Sequence, residues 1–431
     1  MPIASILERT MNEIIVIGGG PAGMMAAIAA ATAGERVTLL EKNEKLGKKL
    51  YITGKGRCNV TNNCTREVFL RNVAHNPRFL YSAFENLSPQ RLMDFFTARG
   101  CRLVTERGNR VFPESNHASD ITRVLEGELH RLGVRLCLRC PVSGLIVQEG
   151  AVRGVELQSG ETLSGDRVIL ATGGQSYPST GSTGDGWRWL AAAGHTVDPP
   201  LPSLAGIVSE ESWVPPLQGL SLKNVTLTVR KGKKVLFSEL GEMLFTHFGF
   251  SGPLILSASA YITELDPAEV SLTLNLKPGL TEKQLEDRIL RDVAAAPKKQ
   301  LSTLMAGLLP ARLGETVAAL CDIDTTQPCG SLQKEQRKRL MSALQALPLP
   351  WSGIRPLEEA IVTRGGLNVK EVNPSTMESQ KIKGLYIAGE MLDTDALTGG
   401  FNLQIAFSTG ALAGRCAAGV EEWAEWTEWT E

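Results

Sequence analysis

Residues 14–41 read IIVIGGGPAGMMAAIAAATAGERVTLLE, and this stretch decides the fold. Ile14–Ile17 is a short, wholly apolar run of the kind that forms a buried parallel strand. Gly18, Gly20 and Gly23 follow in G-x-G-x-x-G spacing. Met24, Met25, Ala27, Ile28 and Ala31 form a helical run able to pack on a sheet. Gly34 stops it where a left-handed backbone suits glycine. Val37–Leu40 is a second apolar strand, with Glu41 at its end. The glycines have separate physical reasons. Gly18 permits the tight turn, Gly20 lets backbone approach a pyrophosphate, and Gly23 lets the helix lie close on the sheet. The helix N-terminus offers free N–H groups and the positive end of its dipole to phosphates. Glu41 is placed to accept hydrogen bonds from a ribose 2′-hydroxyl, and a carboxylate there argues against NADP in this site. The glycine pattern alone is weak. With strand, helix, second strand and acid in order, it defines a dinucleotide site.

The whole chain has 431 residues, enough for two or three domains. Its net charge of −1 provides no global field toward nucleic acid or membrane, so RNA binding would need a local patch. Eight cysteines without a regular framework fit a reducing, cytoplasmic setting. Cys137 and Cys140 form C-x-x-C, but residues three apart on a strand face opposite ways, which argues against a redox pair. No apolar run is long enough to span a membrane, and no metal-ligand set is read. Met1–Thr10 lacks a signal-peptide core and is expected to be a disordered extension or an early start.

After Glu41 the chain becomes basic and glycine-rich: Lys42, Lys45, Lys48, Lys49, then Thr53-Gly-Lys-Gly-Arg-Cys-Asn-Val-Thr-Asn62. Loops of this composition lie against ligands. Ser88–Arg99 and Ser119–Leu132 read as helices with serine N-caps. Val134–Leu138, Gly144–Val147 and Val152–Leu157 read as strands. So does Arg167–Leu170, which opens directly into Ala171-Thr-Gly-Gly174, and Asp185–Ala193 reads as a helix. At Asp198 prolines break the rhythm. Alternating β segments such as Val225–Val229 and Ser271–Leu276 follow, and then four helices between Thr281 and Leu347. The first pattern resumes with a strand at Gly384–Ala388, the turn Gly389-Glu390, and a helix from about Leu403 to Ala417. The tail carries Trp423, Trp426 and Trp429 at a three-residue period and is expected to be irregular. The fold class is α/β: a Rossmann-like domain, 1–195 and 355–420, interrupted by an insert. The insert has a β-barrel-like part, 196–280 and 348–354, and a helical part, 281–347. The tail is 421–431.

Three signals thus lie far apart: the N-terminal unit, the Ala171–Gly174 turn, and the late strand ending at Gly389-Glu390 before a helix. A simple NAD domain does not need the last. FAD does, because its length calls for a second edge and another helix N-terminus. FAD is therefore the expected resident cofactor. With no second G-x-G-x-x-G in view, NADH or NADPH would visit the flavin only transiently.

The sequence resembles the BaiN/RdsA flavoproteins, within the wider glutathione-reductase-like FAD class. The resemblance is carried by Gly18–Gly23, Thr53–Asn62, Arg110-Val-Phe-Pro113, Ala171–Gly174, Leu244-Phe-Thr-His-Phe-Gly-Phe-Ser-Gly-Pro253, and the stretch from Ala388-Gly-Glu390 to Gly399-Gly-Phe-Asn-Leu-Gln404. It covers nearly the whole chain and implies the interrupted Rossmann-like fold just described. It also implies that Gly18, Gly20, Pro21, Ala22 and Gly23 line the pyrophosphate, with Glu41 on the adenosine ribose and Lys42 and Val142 near the adenine. Lys49, Gly56, Arg57, Cys58, Asn59 and Thr61 should lie along the cofactor. Ala171, Thr172 and Gly173 should pass close to it, and Gly389, Glu390, Gly400, Asn402 and Leu403 should wrap the flavin side. Glu390 stands where many flavoproteins carry Asp, which keeps an acid available for a ribityl hydroxyl.

The activity implied is reduction of a C=C bond conjugated to a carbonyl, either a uridine of large-subunit ribosomal RNA (preferred) or a steroid enone. An amine oxidase and a non-catalytic binding flavoprotein are the alternatives. The reduction needs an acid to protonate the α-carbon and donors for the enolate oxygen. His247 and Cys58 are the candidate acids, with His117 and Arg110 behind them. His75, His130 and His195 read as ordinary surface or capping residues. Candidate RNA contacts are Lys48, Lys49 and Lys55, together with Lys334, Arg337, Lys338 and Arg339 on the last insert helix.

Overall fold

A computed structural model describes residues 11–420. The expectations for the first ten residues and for the tryptophan tail lie outside the described residues. The chain forms two compact units. One runs to Ser203 and resumes at Leu357; the other is Leu204–Pro356.

The first unit is built on a five-stranded parallel sheet. Its order is Leu385–Ile387, Arg167–Leu170, Glu13–Ile17, Arg36–Leu40, Arg135–Cys137. The middle strand is the first in sequence, and its neighbour two places over arrives from the far end of the chain. The central strands are apolar on both faces because helices cover both faces: Val16, Val168, Ile169, Leu170 and Leu39 are fully buried. The first helix, Pro21–Thr32, starts with proline at N1, where the missing N–H costs nothing. Met24, Met25, Ala26, Ala27 and Ile28 are fully buried, so this helix is wrapped on all sides and shows little amphipathic contrast. The last helix, Phe401–Ala417, is buried along most of its length as well.

Smaller elements surround this core. Ser88 caps the helix Pro89–Ala98 by accepting from Arg91 N, as its N-cap position leads one to expect, and Leu92, Phe95 and Phe96 face inward. The helix Ala118–Arg131 instead starts after His117 and has no side-chain cap. Val197–Ser203 pairs antiparallel with Val362–Leu367. That pairing draws a proline-rich strand, assigned to the insert in the sequence reading, into the first unit.

The second unit contains a seven-stranded antiparallel sheet. It runs Leu347–Pro348, Val270–Asn275, Ser221–Lys231, Lys234–Phe245, Gly249–Ser251, Ile207–Val208, Gly353–Ile354. Alternation along Ser221–Lys231 places Leu222, Val225, Leu227 and Val229 on the buried face. The helices Glu282–Ala295, Leu301–Leu308, Ala311–Leu320 and Lys334–Ala346 follow the strands. Thr281 and Gln284 form a reciprocal capping box at the start of the first of them.

Candidate cofactor and active site

Four strands of the parallel sheet end at one level, and their exits are stitched together. Gly18 N donates to Leu40 O at 2.8 Å, Ala171 N to Ile17 O at 2.9 Å, Ala388 N to Leu170 O at 2.9 Å, and Glu41 N to Cys137 O at 2.9 Å. The three separate signals of the sequence are therefore neighbours along one carboxyl edge, the place where open α/β sheets bind ligands.

The glycines at this edge sort by what surrounds them. A Cβ on Gly18, whose φ is +108°, would lie 2.3 Å from Ala171 O. One on Gly23 would lie 1.8 Å from Gly18 O. Those two are required by the fold itself. Gly20 has extended φ −80° and nothing within 4 Å of its Cβ position. The polypeptide gives no reason for a glycine there, but a group approaching the backbone does.

Two helix N-termini face that edge. The first helix has Gly20 as N-cap, no capping side chain and no acid in its first turn. The last helix has left-handed Gly400 as N-cap and likewise no capping side chain. The helices pack closely in parallel: Cβ atoms on Gly410 and Gly414 would lie 2.2 and 2.1 Å from the carbonyl oxygens of Ala22 and Ala26. Ala22 is thus level with Gly410, so the last helix begins about nine residues, or roughly 13 Å, beyond the first. Two positive dipole ends separated by that distance suit a dinucleotide with a pyrophosphate in its middle and an electron-rich ring system at one end. The buried Asn59 Oδ1 has no hydrogen-bond partner among the described residues, and the Cβ position of Gly400 is 3.0 Å from it. An orphan acceptor beside an uncapped N-terminus fits a missing polar ligand. These features fit FAD.

Glu41 is braced at both oxygens. Oε2 accepts from Gly19 N at 2.7 Å, and Oε1 accepts from Asn43 N and Nδ2 at 2.7 Å each. The 137–140 turn holds the same segment through Cys140 N to Glu41 O, which brings the strand start at Val142 to the adenosine end. Lys42 Nζ pairs with Asp185 and Thr183 Oγ1 at 2.6 Å each. Lys49 Nζ pairs with Glu390 Oε2 at 2.8 Å and Ser176 Oγ at 2.7 Å. Glu390 Oε1 accepts from Thr363 N at 2.8 Å, while Thr363 Oγ1 accepts from Gln175 N and Ser176 N. This knot ties the Ala171–Gly174 turn to the Gly389-Glu390 turn. Sequence reasoning missed Thr363, Ser176 and Asp185. The glycine pair after Thr363, with Gly365 and Gly366 at φ +87° and +112°, was the available signal.

Residues Thr53–Asn62 make a strained loop. Gly54, Lys55, Gly56 and Cys58 all have φ between +56° and +85°. Left-handed backbone at two non-glycine residues costs of order 1–3 kcal/mol each and is found where a ligand site over-determines the chain. Arg57 pairs with Glu106 and Asn116, and its guanidinium stacks 4.0 Å above the Phe112 ring. Cys58 is fully buried, and that burial pushes its thiol up to about 12, partly offset by a hydrogen bond with Thr53. Thr61 is also fully buried, its hydroxyl turned to Gln404 rather than to an open surface. Asn402 uses its amide on Ala396, accepting from N at 2.9 Å and donating to O at 2.7 Å, so it braces the 393–397 segment.

The remaining histidines are spread out. His247 is exposed in the second unit, edge-on to Phe248 at 5.2 Å. His117 is exposed at a helix start, and Arg110 reaches Arg107 O and Glu106. His195 is not a surface residue: it is 5% exposed and lies 2.8 Å from Ser379 Oγ. Nor is His75 an ordinary cap, since it lies between Asp393 and Arg364. On the helix Lys334–Ala346, Arg337 pairs with Glu286, Lys338 with Glu335, and Arg339 with Asp322 and Cys321 O. Among the described residues no group of three or more His, Cys, Asp or Glu could hold a metal ion, and no helix is long and apolar enough to cross a membrane.

A Rossmann-type sheet, two aligned helix N-termini and a ribose-side acid define an FAD-dependent oxidoreductase. Residues 12–416 match the family described as HI0933-like protein Rossmann domain, and the chain belongs to that family, the BaiN/RdsA type. It is 31% identical over 415 residues to a 3-dehydro-bile acid delta(4,6)-reductase of Clostridium scindens, covering 95% of this chain and 99% of that one. It is 30% identical over 403 residues to a ribosomal RNA dihydrouridine synthase of Haemophilus influenzae, covering 92% and 96%. A solved quinol–fumarate reductase with menaquinol molecules aligns at TM-score 0.50 and 17% identity, covering 96% of this chain and 72% of that one, a likeness of fold.

Proposed function

We propose that the protein reduces a C=C bond conjugated to a carbonyl, with electrons from NADH or NADPH. The observation that carries this reading is the spacing of the two open helix N-termini along the sheet edge, which suits FAD with its flavin end at Gly400. When bound, FAD supplies a two-electron carrier that passes hydride to an electron-poor carbon. The chain's own residues do the rest. The backbone at Gly18, Gly20 and Gly23 receives the pyrophosphate, and Glu41 receives the adenosine ribose. Glu390, held by Lys49, Ser176 and Thr363, orients the ribityl side, and the first turn of the last helix favours negative charge at the ring.

The relatives' names point to one reaction. A 3-oxo-4,6-diene and a uridine both present a double bond in conjugation with a carbonyl, and both products are the saturated form. Uridine in ribosomal RNA is the preferred substrate, supported by two relatives named as dihydrouridine synthases, each 30% identical over 92% of this chain. A small enone is the second reading. The pairing of Arg337, Lys338 and Arg339 with acids favours it, because phosphate binding needs cations with charge to spare.

The test is anaerobic. Purified protein should be yellow, bleach with NADH, and recolour rapidly on adding a uridine-bearing rRNA fragment or a 3-oxo-4,6-diene steroid. Bleaching by a primary amine instead would replace this reading with an amine oxidase. Deletion of the gene with no change in large-subunit dihydrouridine would remove the RNA substrate.

A further inference from the structure

We propose that His75 is the acid that completes this reduction, with Arg364 steadying the carbonyl oxygen of the acceptor. The proposal rests on the reaction given above and adds to it the source of the proton.

Residues 72–76 run antiparallel to 393–397. Val73 bridges Ala396, Ala74 N donates to Asp395 O at 2.8 Å, and Leu397 N donates to Asn72 O at 2.8 Å. The 393–397 segment joins the Gly389-Glu390 turn to Gly399-Gly400, so cofactor-side positions flank it at both ends. Arg364 follows Thr363, whose N–H and hydroxyl tie the two turns together. Into this place the chain puts a paired imidazole. His75 Nε2 lies 3.0 Å from Asp393 Oδ2, and Arg364 Nη2 lies 3.2 Å from His75 Nδ1. Asn76, left-handed at φ +53°, donates to the same Asp393 oxygen at 3.0 Å and to the Asp393 carbonyl at 2.7 Å.

Asp393 is buried, its side chain 9% exposed, and accepts at that oxygen from Nε2. The tautomer follows: Nε2 carries hydrogen and Nδ1 faces the guanidinium. A neutral ring accepts from Arg364 at Nδ1. A protonated ring brings two N–H donors to one locus with no acceptor between them. An oxygen with developing negative charge, admitted by a turn of the guanidinium, satisfies Arg364, and the adjoining carbon stands at Nδ1–H.

The charges facing His75 are those of Asp393, Arg364 and Asp395. The hydrogen bond to Asp393 is the largest influence and raises its pKa, against burial and Arg364, so the net direction is upward. Asp395 is fully buried, accepts from Ser203 Oγ at 2.5 Å, and is pushed by burial toward its neutral form. Its Oδ1 has no partner among the described residues. Asp393 is then the carboxylate that balances the cluster. The His75 side chain is 34% exposed, which gives water access for reprotonation. Neither earlier candidate combines these properties: Cys58 is fully buried, and His247 has no carboxylate at its ring among the pairs of the second unit.

The step balances. Hydride from the reduced cofactor forms a C–H bond at the β-carbon, and the π pair moves toward the carbonyl oxygen beside Arg364. The α-carbon then takes the Nδ1 proton, the carbonyl re-forms, and neutral His75 is recharged from solvent.

The experiment compares wild type with His75→Gln, each reduced anaerobically by NADH and then mixed with a 3-oxo-4,6-diene steroid, a uridine-bearing rRNA fragment, or ferricyanide. Ferricyanide takes electrons without protonating carbon. Recolouring by the carbon acceptor that wild type uses should fall about 10²–10⁴-fold, while bleaching and ferricyanide recolouring stay within a factor of about two. Asp393→Asn is the second variant. It should move the alkaline limb of the rate profile to lower pH, because it removes the group that raises the His75 pKa. Unchanged recolouring of His75→Gln by the carbon acceptor overturns the assignment alone. So does equal loss with ferricyanide, or an Asp393→Asn limb that does not move. Wild type recoloured by ferricyanide and by neither carbon acceptor overturns the reading of the reaction, and this assignment with it.

Discussion

At the residue scale, Gly20 and Gly23 belong to one motif but answer to different forces. Gly23 is pinned by Gly18 O, so Gly23→Ala forces the helix from the sheet and should destabilise the fold by roughly 1–3 kcal/mol. Gly20→Ala meets no atom within 4 Å and no backbone strain. It should melt within a degree or two of wild type as apo-protein, since strain-free surface changes stay within about ±0.5 kcal/mol. Its flavin content, however, should fall at least about tenfold, because a methyl group occupies the approach to the pyrophosphate. Thermal unfolding with and without added FAD, alongside the absorbance of the purified variants, separates the two effects. If Gly20→Ala retains full flavin, the cofactor does not approach that backbone.

At the element scale, the contact between the first and last helices sets the distance between the two ends of the cofactor site. Gly410 and Gly414 let the helices meet almost backbone to backbone at Ala22 and Ala26. Gly410→Ala and Gly414→Ala should each lower stability by about 1–3 kcal/mol, read by urea denaturation, and each should weaken FAD binding without touching a cofactor-lining atom. This contact was visible in outline, because G-x-x-x-G recurs at Gly410 and Gly414 in a run of small residues. The sequence does not say which helix the glycines meet, since that depends on the sheet order. The strands were more legible. Arg167–Leu170 falls where its apolar run places it, and Ala311–Leu320 matches its helical pattern end to end. The start of the helix Ala118–Arg131 was misplaced because Ser119 looks like a cap, while the backbone turns helical one residue earlier. His75 and His195 were illegible for a different reason. Their partners, Asp393, Arg364 and Ser379, lie far away in sequence, and only the folded sheet brings them near.

At the scale of the whole molecule, buried and half-buried ion pairs link distant segments, and they set the response to acid. Glu128 is drawn down to about 2: burial opposes, but hydrogen bonds from Arg131 and Arg99 win. Glu371 is likewise held at about 2 against burial, by Lys381 and the Thr196 backbone. A carboxylate whose folded pKa lies below its unfolded value stabilises the fold at neutral pH, and that contribution drains away as pH falls. The window here runs from about 4.5, the ordinary glutamate value, down to about 2. Glu128→Gln should therefore flatten the loss of stability between those limits, measured by denaturant midpoints across acid pH. An acid limb as steep as that of wild type would show that Glu128 does not govern it.

The order of the parallel sheet also has a consequence for how the protein is made. Its strand Leu385–Ile387 lies beside Arg167–Leu170, yet the ribosome adds it only after the whole of the second unit. At about 5–20 residues per second, the nascent sheet waits on the order of tens of seconds with one edge bare. The helix start at Gly400 emerges later still. The growing chain can offer the adenosine end of its site early, but a complete cradle exists only when synthesis is nearly finished. Capture of the cofactor is thus a closing step of biogenesis, and for most of translation an apolar strand edge needs shielding by chaperones.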